Sequence, residues 1–212
     1  MSRLFDAQCE RCPRLAAHLR RMRTTHPTYF NAPVPAFGDL EAPLLIVGLA
    51  PGMHGANATG RPFTGDYAGI LLYAALHALG LATAHESTSA DDGLRLIDCR
   101  ITNAVKCLPP QNKPTTAEAD TCNDFLRAEL AGSAAAVVLA LGSIAHRAVL
   151  RALGLRLSQW PFGHGARHEI HTRRVLIDSY HCSRYNTQTR RLTEAMFLDV
   201  LKAARDESQL LR

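Results

Sequence analysis

Several features are missing from this chain of 212 residues. No apolar run reaches the ~20 residues needed to span a membrane. The nearest, Ala134 to Leu150, is broken by Gly142-Ser143 and His146-Arg147 and reads as a buried strand followed by a helix. The opening MSRLFDAQCE is too polar for a secretory signal. There is no internal repeat and no long low-complexity segment. The loop GLAPGMHGANATGRPFTGD, residues 48–66, follows a strand-like run but lacks the Gly-Lys-Ser/Thr of a phosphate-cradling P-loop. Its glycine spacing is also wrong for a dinucleotide fingerprint, and Pro51 removes a backbone donor. These absences point to a cytoplasmic protein with no membrane partner, where disulfides are rare and grouped cysteines suggest metal.

What is present fits an ordinary folded domain. Hydrophobic residues make up 47% and charged residues 20% of the chain. The length suits a single domain over 1–212, with a sizeable core. A net charge of +5 leans toward polyanionic partners and is equally compatible with a basic enzyme that never meets nucleic acid. Within the N-terminal stretch 1–43, the pattern predicts a basic helix over 10–23 and an extended Pro- and aromatic-rich segment over 26–43.

Further along, strands are expected at 44–48, 96–105, 136–141 and 175–177. Helices are expected over 67–80, 117–130, after a cap at Ser143, and over 190–205. Strands alternating with helices imply an α/β fold, a parallel sheet with helices on both faces. In such sheets ligands bind beyond the carboxyl ends of the strands. The 48–66 loop and the 181–187 loop both fall there.

Six cysteines occur, and four of them group. Cys9 and Cys12 form a short knuckle among charged residues, Cys107 follows a strand, and Cys122 lies in a helix 15 residues later. Four thiolates bind zinc or an iron–sulfur centre. Paired short knuckles are usual for zinc, so the wide second pair leans toward iron–sulfur while leaving zinc open. Cys99, in an apolar strand, and Cys182, in the last loop, stand apart.

Together, GLAPGMHGANATGRPFTGD, ITNAVKCLPPQNKPT, LALGSIAHRAVL and SYHCSRYNTQTRRLT resemble the iron–sulfur uracil-DNA glycosylases, nearest the family-five (type B) branch. The resemblance covers about residues 8–205. It implies a three-layer α/β/α sandwich around a four-stranded parallel sheet. It also implies a [4Fe–4S] cluster on Cys9, Cys12, Cys107 and Cys122, and a monomeric enzyme that excises bases from DNA.

Such enzymes must rotate a nucleotide out of the duplex to reach its glycosidic bond. By this resemblance, Gly48, Leu49, Ala50, Pro51 and Gly52 form the pocket floor, with His54 beside them. Phe63 stacks on the base, although the chain alone favours a core aromatic. Asn103, a buried amide in an apolar strand, reads the uracil edge as in family-four enzymes. His181 stabilises the base as it leaves with negative charge.

Ala50 occupies the position where most uracil-DNA glycosylases carry an acid or amide that places water. Asp66, and second Asn112, are therefore the candidates for orienting water or stabilising the sugar cation. Asp66 is equally suited to cap a helix. Arg61, Lys113, Arg184, Arg190 and Arg191 are candidate DNA contacts, with Arg184 or Tyr185 as the wedge that fills the gap left by the flipped base. Two rivals remain. Asn103 favours a strict, family-four-type uracil enzyme, and Ala50 opposes it. A non-catalytic iron–sulfur DNA-binding or redox module would bind DNA and release no base.

Overall fold

The computed structural model describes residues 4–171 and 174–211. Residues 1–3, 172–173 and 212 of the expected 1–212 domain lie outside the described residues.

The sheet is built on four parallel strands, β2 (Leu44–Gly48), β3 (Cys99–Asn103), β4 (Val137–Leu141) and β6 (Arg174–Ser179). Two short antiparallel strands flank them, β1 (Phe37–Gly38) beside β3 and β5 (Arg167–His171) beside β6, giving the order β1-β3-β2-β4-β6-β5. The sequence pattern reveals the four central strands and misses the edges. A two-residue strand carries no periodicity, and RHEIH is too polar to read as buried.

The three layers follow from alternation along the central strands. Leu44 and Ile46 of β2 face one core, with Val137, Leu139 and Leu141 of β4. Leu72, Tyr73 and Leu76 of α3 (Tyr67–Ala78) and Phe197 and Leu201 of α7 (Glu194–Leu210) cover that face. Leu45, Val47, Val138 and Ala140 face the opposite core, covered by Leu126 and Leu130 of α4 (Thr116–Gly132) and Val149 of α5 (Ser143–Ala152). All five residues of β2 and of β4 are buried. Each fully buried aliphatic side chain contributes about 1.5–3 kcal/mol, so these central strands anchor the fold.

A third apolar cluster stands to one side. Leu15, Leu19 and Met22 of α1 (Pro13–Thr25) pack on Val105, Leu108 and Phe125. Helix α4 begins with a reciprocal box in which Thr115 accepts from the Glu118 backbone and Glu118 accepts from the Thr115 backbone. The residue that caps α5 is Gly142, with φ 97°, and Ser143 is the first helical position rather than the cap. Two loops each carry a short helix, α2 (Ala56–Thr59) after β2 and α6 (Arg184–Gln188) after β6, both inside stretches expected to be loops.

Candidate active site

Because β2, β3, β4 and β6 run parallel, their carboxyl ends open on one edge, and their following loops meet there. They enclose a cavity of about 480 Å³. The β2 loop supplies Leu49, Ala50, Gly52, Ala56, Phe63 and Asp66. Asn103 ends β3, and Asn112 comes from the loop beyond it. Leu141 to Ile144 arrive from β4, and Tyr180, His181, Ser183, Arg184, Asn186 and Arg191 arrive from the region after β6.

Two buried polar atoms in this cavity have no hydrogen-bond partner, Asn103 Oδ1 and His181 Nδ1. Buried polar atoms are nearly always paired. Here two without a partner among the described residues belong to side chains lining one cavity. Burial pushes the His181 pKa down to about 4, so the imidazole is neutral near neutral pH. Its ring stacks on Phe63, with centroids 6.0 Å apart and planes at 28°. Phe63 itself is held at φ 54°, a conformation costly for a bulky residue and typical of functional sites.

Gly48 lies directly behind this pair. A Cβ at that position would overlap the Asn103 amide oxygen and lie 2.6 Å from Phe63 Cζ. Only glycine lets the strand pass so close to both side chains. Pro51 is buried and does not line the cavity.

Asp66 caps α3, with Oδ1 accepting from Gly69 N at 2.9 Å. Its Oδ2 lies against the backbone at Gly52 and Gly55, and a side chain at Gly55 would overlap it. One oxygen thus closes the helix while the carboxylate also lines the cavity. Burial pushes its pKa up, and the Gly69 and Ala68 amides oppose that shift. Asn112 is exposed at the rim, in the left-handed region at φ 57°.

Two of the expected site residues lie elsewhere. His54 points out of the cavity, with Nδ1 hydrogen-bonded to Tyr29 Oη at 2.9 Å and its ring edge-on to His26. The same neighbours, drawn from the Pro- and aromatic-rich segment, could not be placed next to it from sequence. Arg61 is not a DNA-facing residue. It is 4% exposed and paired with Asp92 at 2.5 Å, donates to Ser87 and Thr64, and covers the Phe37 ring. Asp92 also accepts from the Thr88 and Ser89 amides, so the polar insert at 83–95 is folded around this arginine. Arg184, Tyr185, Arg190 and Arg191 remain exposed at or beside the rim, as does Lys113 on the adjoining loop.

Cys9, Cys12, Cys107 and Cys122 come together as well. All four line one small cavity of about 10 Å³ beside α1, with Arg11, Lys106 and Phe125. Burial pushes Cys107 up to about 12, helped by the neighbouring thiols of Cys122, Cys9 and Cys12. Cys99 and Cys182 are buried outside this group.

Sequence reasoning missed a third polar group, behind the cavity wall. Asp178 of β6 is fully buried. Its Oδ1 lies 2.8 Å from His146 Nδ1, and its Oδ2 3.1 Å from His168 Nε2. His146 Nε2 meets the Trp160 carbonyl at 2.8 Å. An acid inside an otherwise apolar strand was the available signal, since such a residue needs partners.

A family model described as the uracil DNA glycosylase superfamily matches residues 35–205. The chain is 48% identical over 203 residues to a type-5 uracil-DNA glycosylase of Thermus thermophilus, covering 93% of this chain and 92% of that protein. It is 44% identical to a type-5 enzyme of Pyrobaculum aerophilum, covering 92% and 87%. A type-4 uracil-DNA glycosylase from the same archaeon is 35% identical over 149 residues, covering 70% and 62%. With the sandwich fold and the loops gathered at its open edge, these matches show that the chain belongs to the uracil DNA glycosylase superfamily, in the company of the type-5 enzymes.

Proposed function

We propose that this protein hydrolyses the N-glycosidic bond of uracil in DNA, after the nucleotide flips into the 480 Å³ cavity. The observation that carries the reading is the pair of unpartnered polar atoms there, Asn103 Oδ1 and His181 Nδ1. A uracil edge offers an N–H to the first and carbonyl oxygens to donors beside it. The base leaves as an anion, and a preorganised donor at its oxygen lowers the barrier. Neutral His181 suits that part, since it donates a hydrogen bond without having to lose a full charge afterwards.

Phe63 supplies an apolar face for the ring. Asp66, with Asn112 as second choice, orients water or balances the sugar cation, in place of the side chain that Ala50 lacks. Lys113, Arg184, Arg190 and Arg191 neutralise phosphates, and Tyr185, 71% exposed, is the wedge. The cavity also has room for hypoxanthine or xanthine, released more slowly than uracil. Asn103 favours the strict uracil reading, because its acceptor suits a pyrimidine N–H.

The four grouped cysteines fit a [4Fe–4S] centre. Four sulfur donors line one small cavity, and burial and neighbouring thiolates raise the pKa values of Cys12, Cys107 and Cys122, so a cationic centre is what would let them ionise together. Such a centre would clamp α1 to the segment 105–125. We place the enzyme in the cytoplasm as a monomer. Among the described residues no helix is long and apolar enough to cross a membrane.

Base release from duplexes carrying uracil, hypoxanthine or xanthine, read by mass spectrometry, tests the activity. Free uracil is expected first. DNA binding with no base released would favour the non-catalytic module instead. Iron and acid-labile sulfide, measured on anaerobically purified protein, are expected at about four each per chain. One zinc and no sulfide would replace the iron–sulfur reading.

A further inference from the structure

Tyr67 was absent from every motif considered above, yet it touches both sides of the cavity mouth. It is the first residue of α3, directly after the Asp66 cap, and it lines the cavity. It is 42% exposed, an unusual place for a large ring. The Arg184 guanidinium lies over that ring, 5.6 Å from its centroid. The Tyr67 hydroxyl is hydrogen-bonded to the Thr187 hydroxyl at 3.0 Å. Both partners belong to α6, a helix of five residues that has no core of its own. The same helix also holds the His181 carbonyl, through Asn186 Nδ2 at 2.8 Å.

An exposed arginine is a flexible chain that samples many rotamers. Laid on an aromatic face, it keeps its charge and its donors while losing much of that freedom. Among the described residues no carboxylate is paired with Arg184, so its charge is available to an anion from outside. Arg191 rests on Tyr180 in the same way, 4.6 Å from the ring centroid, on the far wall of the cavity.

We infer that Tyr67 is a positioning residue that holds Arg184 toward a DNA phosphate next to the flipped nucleotide. This rests on the glycosylase reading above, and it adds a residue on the opposite loop from the arginine it directs. The ring does the aiming, and the hydroxyl adds one exposed hydrogen bond to Thr187 that the aiming does not depend on.

The test is the salt dependence of binding to a duplex with an uncleavable abasic analogue, which needs no base release. Each phosphate contact contributes about 0.9 to the slope of log K against log salt. Arg184→Gln is expected to lower that slope by about one. Tyr67→Ala is expected to lower it equally, and the double variant to fall no further. Tyr67→Phe keeps the ring and is expected to keep the slope. Tyr67→Met preserves apolar bulk without the π face, and is expected to behave as Tyr67→Ala even if the smaller residue folds poorly. An unchanged slope in Tyr67→Met, or full additivity in the double variant, would overturn the inference. Failure of the glycosylase reading appears separately, as wild-type protein that binds this duplex but frees no base from a uracil substrate.

Discussion

Two sets of buried polar atoms lie a few residues apart on β6 and the loop beyond it, and they are treated in opposite ways. Asp178 is fully enclosed, and both of its oxygens, with both nitrogens of His146, have partners at 2.8–3.1 Å. His181, three residues on, keeps an Nδ1 with none, as does the Asn103 amide oxygen across the cavity. The first set is a closed circuit that fixes the position of the strand end. The second is left open, at a cost to the folded state that a base bound as proposed would recover. A buried polar group with partners is part of the scaffold, and two without them that belong to one cavity's lining are what the proposed base would satisfy.

Substitutions should separate the two sets. The largest effect is expected at Asp178→Ala, which strips the buried His146 and the half-buried His168 of their acceptor and should cost roughly 3–5 kcal/mol of stability. Thermal or urea unfolding reads it, and a loss under about 1 kcal/mol would mean that the circuit is not structural. His181→Ala should do the reverse. Its single-turnover rate on uracil DNA should fall by about 10²-fold or more, with melting temperature held or raised.

Acid sharpens the same contrast. His181 binds its proton near pH 4 when folded and near the ordinary 6.5 when unfolded. The unfolded chain therefore takes up the proton first, and wild-type stability should decline from pH 6.5 toward 4 more steeply than that of His181→Ala. Parallel decline in the two proteins would argue against a buried, neutral imidazole.

A smaller, selective change is expected at Asn103→Ala, which should slow uracil release more than release of a purine. Equal losses on both substrates would place Asn103 in the scaffold instead. The smallest effect concerns Asp66. Asp66→Asn keeps the cap and should leave stability unchanged while slowing cleavage, whereas Asp66→Ala should also cost about 1 kcal/mol. If Asp66→Asn cleaves as fast as wild type, the carboxylate is a cap and nothing more.

The central strands and their order of use were readable because LLIVG and VVLAL are apolar without interruption. The loops that gather at the open edge then followed from parallel topology. What stayed hidden depends on long-range pairing. Arg61 looks like any loop arginine until Asp92, 31 residues away, is folded onto it. His54 reads as part of a glycine-rich loop until Tyr29 turns it outward. Tyr67 gives no signal at all, since its partners Arg184 and Thr187 lie in a segment with no periodicity, 120 residues along the chain in the case of Thr187.

The crowding at Gly48 also shapes how this site can evolve. Its backbone conformation is one any residue adopts, so what excludes a side chain is the presence of Phe63 and Asn103. Position 48 is therefore epistatic with positions 63 and 103, the two residues proposed to contact the base. Gly48→Ala should be deleterious alone and tolerated only once positions 63 and 103 both carry smaller side chains. A lineage that trims both gains access to substitutions at 48, and after such a substitution neither original residue can return without a clash.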